Sequence, residues 1–191
     1  MPELNGSRTE KNLVASFAGE SQARNRYTWA AKIAEKEGYP QIADIFLQTA
    51  DHERIHANSM CKKFAGGPVA ITATYPADPI GTTLENLQAA AAEEHEEVTA
   101  LYPSFAETAG KEGFPQIAAM YRTIAKAESW HEERFNRLIA NIKNGAVFKR
   151  DKPVKWVCRK CGFIHEGAEP LNMCPACLHD KKHFEILAEN F

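Results

Sequence analysis

The sequence predicts an all-α four-helix bundle followed by a small domain that depends on a bound metal ion. Two observations lead to this prediction. The segment Lys36–Ala43 recurs almost unchanged at Lys111–Ala118, 75 residues later. After Gly145 the helical pattern stops, and two Cys-x-x-Cys pairs follow. A tail of about 40 residues is too small to build a stable core of its own, so a metal ion is expected to staple it.

Each copy of the repeat predicts a hairpin of two helices. In both copies Gly-aromatic-Pro interrupts a helical pattern, and proline suits the first turn of the helix that follows. The predicted helices span residues 8–37, 40–64, 82–112 and 115–144. Residues 65–81 between the copies are rich in Gly, Pro and Thr and form too long a connection for a tight turn. They predict a crossover that lets the two hairpins pack side by side.

Composition excludes several classes of function. The formal net charge of −2 gives no basic surface for nucleic acid. No apolar run approaches the ~20 residues that span a bilayer. Residues 1–12 are polar and contain no signal-peptide core. We therefore expect a cytoplasmic protein with no membrane partner, whose five cysteines are reduced and available for metal or redox chemistry.

Carboxylates fall on the apolar faces of all four predicted helices, at positions where leucine would be expected. Glu-x-x-His occurs on the apolar stripe of the second and fourth helices, and glutamates occur on or beside the stripe of the first and third. Side chains three or four residues apart share a helix face, so these groups should meet inside the bundle. The candidate metal ligands are Glu20, Glu53, His56, Glu94, Glu97, Glu128 and His131.

Buried carboxylates in such numbers predict a metal site. Ionised carboxylates are rarely buried without a partner, because desolvation costs several kcal/mol per ion. A single helical glutamate is usually a solvated surface residue, but two Glu-x-x-His motifs at matching repeat positions argue against that reading. Two divalent ions would neutralise the cluster. Mixed oxygen and imidazole ligands favour iron or manganese over zinc or calcium.

The repeat is imperfect in one place. Glu20 and Tyr27 are seven residues apart, whereas Glu94 and Tyr102 are eight apart. A residue inserted within a helix is commonly absorbed as a π-bulge, and π-bulges are frequent at functional sites. We therefore predict a bulge between Glu94 and Tyr102. Glu97 has no counterpart in the first copy, so an extra carboxylate there would make the two metal positions unequal.

Tyr27 and Tyr102 lie about two turns from the glutamates of their helices. One interpretation is that both are ordinary core tyrosines. The other is that their hydroxyls hydrogen-bond to a metal ligand or to a bound oxidant, which makes them candidate catalytic residues.

Four cysteines form two knuckles in the tail. Cys158 and Cys161 make the first, and Cys174 and Cys177 make the second. This spacing predicts a tetrahedral four-thiolate site, which accepts either zinc or a single iron. The spacing alone does not choose between them, so a structural zinc ribbon remains an alternative.

Other features of the tail are less specific. We expect its aromatic residues to form a very small core around the metal; they are Trp156, Phe163, Phe184 and Phe191. Cys61 lies far from the knuckles in the second helix and is expected to be an inert buried thiol. The predicted domains are a bundle at 1–146 and a cysteine domain at 147–191.

These motifs resemble a known protein family over essentially the whole chain. The ligand plan resembles the ferritin-like di-iron carboxylate proteins. The tail resembles a rubredoxin domain in its Cys-x-x-Cys-Gly-aromatic and Cys-Pro-x-Cys motifs, with a shorter gap and Leu178 where glycine is usual. An all-α ferritin-like four-helix bundle followed by a small metal-stapled rubredoxin-like β/loop domain is the plan of the rubrerythrin family. The segment Gly19–Tyr27 also matches that family.

The resemblance implies an activity and its cofactors. It implies a non-haem peroxidase that reduces hydrogen peroxide to water at two iron ions, with electrons relayed through one Fe(Cys)₄ centre. It implies that one iron moves between Glu97 and His56 as the redox state changes. It also implies a homodimer with electron transfer between subunits, and an external reductase or rubredoxin that is linked to NAD(P)H.

Two other functions are compatible with the sequence. A ferritin-like ferroxidase would oxidise and handle iron with little peroxide turnover. A non-enzymatic protein would use a zinc-ribbon tail as an interaction module on a structural bundle. The iron content of the chain and the colour of the tail discriminate among the three.

Overall fold

The first half of the bundle is a hairpin of two long helices. The computed structural model describes residues 2–190; Phe191, which was predicted to join the small core, lies outside the described residues. Helix α1 spans Arg8–Lys36 and helix α2 spans Pro40–Cys61. The hydroxyl of Ser7 accepts a hydrogen bond from the backbone N–H of Glu10 (3.0 Å) and caps α1.

The second half is a hairpin whose first arm is interrupted. Helix α3 spans Thr83–Glu96, a π-helical segment spans Glu97–Leu101, and helix α4 spans Tyr102–Lys111. Helix α5, Pro115–Lys143, forms the returning arm. The predicted bulge between Glu94 and Tyr102 is therefore confirmed.

The repeated Gly-aromatic-Pro sequence explains both hairpin turns. Gly38 and Gly113 adopt φ values of 88° and 84°, in the left-handed region that glycine enters without steric cost. Pro40 and Pro115 then begin α2 and α5, where the missing N–H breaks no hydrogen bond. The same three-residue signal thus ends one helix and starts the next in each half.

The long connection between the hairpins is a crossover, as predicted. Residues 62–82 contain no helix or strand. The segment lies along α1, where the hydroxyl of Tyr75 donates to the carbonyl of Ala15 (2.9 Å) and Arg26 donates to the carbonyl of Asp78 (3.0 Å). Its end forms a capping box in which Thr82 and Glu85 start α3.

The prediction for Cys61 is wrong. Helix α2 ends at Cys61, three residues before the predicted end, and a turn follows. At this last position the thiol is exposed rather than buried. The apolar stripe of α2 ends one residue earlier, at the fully buried Met60.

The bundle core has two apolar clusters. One contains Phe46, Phe135 and Tyr27, and the other contains Tyr102 and Tyr121. The bundle also buries four glutamates and His131. Its interior therefore contains ionisable groups as well as apolar side chains.

The small domain is a three-stranded antiparallel sheet with strand order β2-β1-β3. The strands are β1 (Val154–Cys158), β2 (Ile164–Gly167) and β3 (Phe184–Ile186). Trp156 and Phe184 are fully buried beside two of the cysteines, and Phe163 packs against them partly buried. The described aromatics therefore form the predicted small core.

The small domain contacts the bundle through α2. Arg159 bridges Asp44 of α2 and Glu185 of β3 with its two guanidinium nitrogens. At the linker, the rings of Tyr39 and Phe148 stack with centroids 6.4 Å apart. Among the described residues, no helix is long and apolar enough to cross a membrane.

Candidate metal centres

Six predicted ligands meet in the centre of the bundle, and we call them the carboxylate cluster. They form two groups in which the potential ligand atoms lie within 4.8 Å of one another. Glu53 and Glu128 belong to both groups, which places two metal positions side by side. The first group is Glu20, Glu53, His56 and Glu128, and the second is Glu53, Glu94, Glu128 and His131.

The two histidines face the shared glutamates in the same way. His56 Nδ1 lies 3.0 Å from Glu53 Oε2 and 2.9 Å from Glu128 Oε1. His131 Nδ1 lies 3.2 Å from Glu53 Oε1 and 2.7 Å from Glu128 Oε2. Glu20 Oε2 adds a third oxygen 3.7 Å from the His56 nitrogen, and Glu94 Oε2 adds one 3.6 Å from that of His131. This near-symmetry follows from the sequence repeat.

Several buried atoms of the cluster lack hydrogen-bond partners within residues 2–190. All four glutamates are at least 98% buried. Within residues 2–190, Glu53 Oε1, Glu94 Oε2, both oxygens of Glu128 and Nδ1 of His131 have no partner with hydrogen-bond geometry. Each such group costs about 1–3 kcal/mol, and more when charged, unless another ligand satisfies it. The residues present therefore fit a pair of metal ions.

Proton affinities in the cluster indicate the same need for positive charge. Burial lowers the pKa of His131, but the nearby carboxylates of Glu128, Glu53 and Glu94 outweigh it and raise the pKa to about 11. Burial raises the pKa of Glu94 to about 8 and outweighs the opposing influence of the His131 imidazole. Without metal, protons therefore supply part of the positive charge that the carboxylates require.

Both candidate tyrosines hydrogen-bond to the cluster. The hydroxyl of Tyr27 donates to Glu94 Oε1 (2.7 Å), and that of Tyr102 donates to Glu20 Oε1. Each bond crosses from one hairpin to the other. Burial, followed by the negative charge of the nearby glutamates, raises the pKa of both tyrosines well above the usual value, so they remain protonated donors. Their rings also pack in the core, so the two interpretations of these residues are compatible.

Glu97 lies apart from the converging ligand atoms. It begins the π-helical segment and belongs to neither ligand group. It lines a cavity of about 600 Å³ between the crossover and the bundle, together with Tyr102 and Phe105. Burial raises the pKa of Glu97, and the negative charges of Glu20 and Glu94 add to the rise. Ligation by Glu97 stays a prediction.

Sequence reasoning missed His52. Its Nδ1 lies 3.0 Å from Nε2 of His131, on the side of that ring that faces away from the carboxylates. The sequence did contain a signal: His52 directly precedes Glu53, and the repeat has Ala127 at the position equivalent to His52.

The four cysteines form a tetrahedral cage, which we call the cysteine cluster. The Cys158 and Cys177 sulfurs lie 3.7 Å apart and those of Cys161 and Cys174 lie 3.6 Å apart. Four sulfurs at about 2.3 Å from one tetrahedral ion would lie about 3.8 Å from one another. The cage therefore fits a single metal ion.

The turns after the two knuckles differ in residue type. Gly162, after the first knuckle, has φ 78°, and Leu178, after the second, has φ 61°. Leu178 is the only non-glycine residue with positive φ among residues 2–190. The turn that glycine usually provides is thus retained with a leucine at a steric cost.

Comparison with protein families assigns both parts of the chain. The family model described as Rubrerythrin matches residues 11–139, and the model described as Rubrerythrin, rubredoxin-like domain matches residues 156–185. A rubrerythrin from Nitratidesulfovibrio vulgaris is 51% identical over the full length of both chains. A rubrerythrin from Porphyromonas gingivalis is 50% identical, covering 98% of this chain and 94% of its own.

Solved structures agree with this assignment. A mixed-valence structure of nigerythrin is 31% identical, with a TM-score of 0.61, and the match covers 95% of this chain and 87% of that one. Mycobacterium tuberculosis bacterioferritin, BfrA, is 18% identical with a TM-score of 0.63, covering 72% of this chain and 88% of that one. The bacterioferritin match shows the ferritin-like fold alone.

The donor chemistry of both clusters and the family comparison together define the cofactors. The carboxylate cluster is the site of a di-iron centre with two ions per chain, and the cysteine cluster is the site of one rubredoxin-type iron. From its matched family models and its full-length relatives, the chain belongs to the rubrerythrin family.

Proposed function

We propose that this protein is a non-haem di-iron peroxidase that reduces hydrogen peroxide to water. The balanced reaction takes one peroxide, two electrons and two protons and gives two waters. The observation that carries the proposal is the sharing of Glu53 and Glu128 between two ligand groups. Two metal positions side by side suit a substrate with two adjacent oxygen atoms that must receive two electrons.

The carboxylate cluster supplies the ligands in this proposal. Glu53 and Glu128 would be shared by the two ions, Glu20 and His56 would hold the first, and Glu94 and His131 would hold the second. When bound in the ferrous state, the iron pair supplies the two electrons that cleave the O–O bond. Glu97 lines the neighbouring cavity, so we propose that peroxide reaches the cluster from this side.

Glu97 and the two tyrosines are the proposed catalytic side chains. Glu97 lines the cavity and is influenced by the charge of Glu20, so we propose that it approaches the first metal position or withdraws from it. Tyr27 and Tyr102 hold Glu94 and Glu20 by hydrogen bonds and stay protonated. They orient these two carboxylates, because each hydroxyl donates its one proton to a glutamate.

The cysteine cluster is the proposed electron relay. Cys158, Cys161, Cys174 and Cys177 would hold one iron, which would supply one electron at a time and so would have to be recharged twice for each peroxide. Cys161 is exposed, which leaves one edge of the cage open to a redox partner. We propose an external donor protein that draws on NAD(P)H, and a homodimer in which the cysteine cluster of one subunit serves the bundle of the other. A cytoplasmic location stays a prediction from the sequence.

Steady-state turnover with peroxide tests the proposal. Iron-loaded full-length protein is supplied with a reduced rubredoxin-type donor, and peroxide consumption is measured beside the Cys158→Ser variant. Cys61→Ser is the matched control, because it removes an exposed thiol outside the cysteine cluster.

We expect the wild type and Cys61→Ser to consume one peroxide per two donor electrons, and Cys158→Ser to lose donor-dependent turnover while keeping the bundle iron. Rapid Fe(II) oxidation with more than about three irons held per chain, and no peroxide turnover, would support iron handling instead. A zinc-filled, redox-inactive cysteine cluster would support an interaction module.

A further inference from the structure

We propose that His52 is a positioning residue that fixes the imidazole of His131 and so makes the second metal position more rigid than the first. The inference rests on the proposed ligand role of His131. It goes beyond the peroxidase proposal because it concerns which of two similar positions the chain holds more firmly.

The geometry is that of an in-plane hydrogen bond between two imidazoles. His52 Nδ1 and His131 Nε2 are 3.0 Å apart, the ring centroids are 5.2 Å apart, and the ring planes differ by 15°. A ring nitrogen lies just over 1 Å from its centroid, so these distances are compatible only if both nitrogens lie nearly on the line between the centroids. The rings are therefore almost coplanar and joined edge to edge, which aligns the lone pair of one with the N–H of the other.

The bond defines a single tautomer for each ring when metal is bound. His131 Nδ1 faces Glu53, Glu94 and Glu128 and has no hydrogen-bond partner, so it is the nitrogen available to a metal. The proton of the neutral ring must then lie on Nε2, which donates to His52. His52 accepts through Nδ1. An outer partner of this kind fixes the orientation and the tautomer of a metal-binding histidine.

Arg134 joins α5 to α2 close to His52 in the sequence of α2. Its guanidinium donates to the hydroxyl of Thr49 (2.6 Å) and to the side chain of Gln48. Thr49 lies one turn before His52 on α2, and Arg134 lies one turn after His131 on α5. The two helices are therefore tied together beside the His52–His131 bond.

Within residues 2–190, no second imidazole hydrogen-bonds to His56 at the first metal position. The repeat offset of 75 residues relates His52 to Ala127, so the methyl group of alanine stands where the second half would need an imidazole to hold His56. The carboxylate cluster is thus nearly symmetric in its ligands and asymmetric in what supports them.

Metal titration of the full-length protein tests the inference. Fe(II) binding to the two bundle positions is measured anaerobically for wild type, His52→Phe and His52→Gln, and ⁵⁷Fe Mössbauer spectra distinguish the two irons. Phenylalanine keeps a planar ring but accepts no hydrogen bond, whereas the glutamine side-chain carbonyl can accept one from His131. Ala127→Ser is the control at the repeat-equivalent position, and circular dichroism verifies folding.

We expect His52→Phe to weaken one of the two positions by about 10–100-fold and to change one quadrupole doublet, while the other doublet and the cysteine cluster stay unchanged. His52→Gln should restore most of the loss, and Ala127→Ser should have no effect. If His52→Phe does not fold, His52→Leu and His52→Gln are compared in the same way.

Equal weakening of both positions, no weakening, or no rescue by glutamine would overturn the inference. Because the readout is metal affinity and spectrum, it is independent of peroxide turnover. A chain that fails as a peroxidase but shows the selective loss would keep this inference and lose the proposed function.

Discussion

The two hairpins of the bundle present the same ligands but are not equivalent. The first hairpin is built from regular α-helices and contains His52, and the second contains the π-helical segment and Glu97. Duplication explains why Glu20 matches Glu94 and why the histidines face the shared glutamates alike. The differences, His52 in one hairpin and Glu97 in the other, lie next to the two metal positions and make their surroundings unequal.

The π-helical segment shows how one residue changes the site. The N–H of Tyr102 bonds to the carbonyl of Glu97, five residues back, so one extra residue is accommodated between Glu94 and Tyr102. Tyr102 still reaches Glu20, as Tyr27 reaches Glu94. Glu97 enters the second hairpin without displacing the ligands that the repeat requires.

The largest expected effect comes from removing the carboxylate that only one hairpin has. Glu97→Ala should reduce peroxide turnover by about 100-fold, because even outer-shell partners of a metal site are worth 10–100-fold. The fold and the iron of the cysteine cluster should be retained. Glu96→Ala, which removes an exposed glutamate one residue earlier, is the control. Turnover of Glu97→Ala within twofold of wild type would mean that the asymmetry has no chemical role.

Tyr27 and Tyr102 allow a sharper comparison of the hairpins. Each donates a hydrogen bond to a glutamate of the other hairpin, but Tyr102 lines the cavity and Tyr27 does not. Tyr27→Phe and Tyr102→Phe each leave a buried carboxylate oxygen without its donor, so each should lower the free energy of unfolding of the metal-free protein by about 1–3 kcal/mol. Turnover should fall more with Tyr102→Phe, by about 10-fold, since Tyr102 lines the cavity with Glu97 and Tyr27 does not. Chemical denaturation and peroxide kinetics measure the two effects. Equal losses of turnover in the two variants would mean that Tyr27 and Tyr102 contribute equally to catalysis.

Metal loading should displace protons from the cluster. The pKa values of about 11 for His131 and about 8 for Glu94 mean that both groups hold a proton at pH 7 in the metal-free protein. Metal ligation requires their deprotonated forms, so Fe(II) binding at pH 7 should release more than one proton per chain. Raising the pH to 9 removes the proton of Glu94 beforehand and should lower the number released. Calorimetry in buffers of different ionisation enthalpy measures the number of protons released. Zero release would contradict the protonation of the carboxylate cluster.

The smallest effect is expected on the stability of the small domain, where the turns after the two cysteine knuckles can be compared in the same way as the two hairpins. Leu178→Gly should stabilise the metal-bound small domain by up to about 1 kcal/mol, because the left-handed conformation costs leucine but not glycine. The side chain is 72% exposed, so little packing is lost. Gly162→Ala at the matching turn should destabilise the domain. Loss of the cysteine-cluster absorption on heating reports both, and a destabilising Leu178→Gly would show that the leucine side chain has another role.

The ligands and the bulge could be predicted because each depends on local spacing. Glu53 and His56 share a face of α2 whatever the tertiary packing, and the seven-against-eight spacing shows the insertion directly. The cysteine cluster could also be predicted from the sequence, because two short knuckles of fixed spacing leave few arrangements for four thiolates.

The remaining features depend on how helices meet, which the sequence does not state. His52 is not on the apolar stripe of α2, and its contact with His131 arises only because α2 and α5 lie side by side. Cys61 was misassigned because a stripe read by periodicity does not show where the helix ends. The position of Glu97 at a cavity depends on the path of the crossover, whose Gly, Pro and Thr residues predict a loop but not its course.

Rapid mixing of the anaerobically reduced, iron-loaded full-length protein with hydrogen peroxide tests the central claim most directly. The ferric absorption of the cysteine cluster is followed in wild type and in Glu97→Ala. We predict that the absorption returns at a rate that rises with peroxide concentration in wild type, and about 100-fold more slowly in the variant, because electrons must leave through the carboxylate cluster. Equally fast return in both proteins would mean that peroxide oxidises the cysteine cluster directly, and the relay would be contradicted.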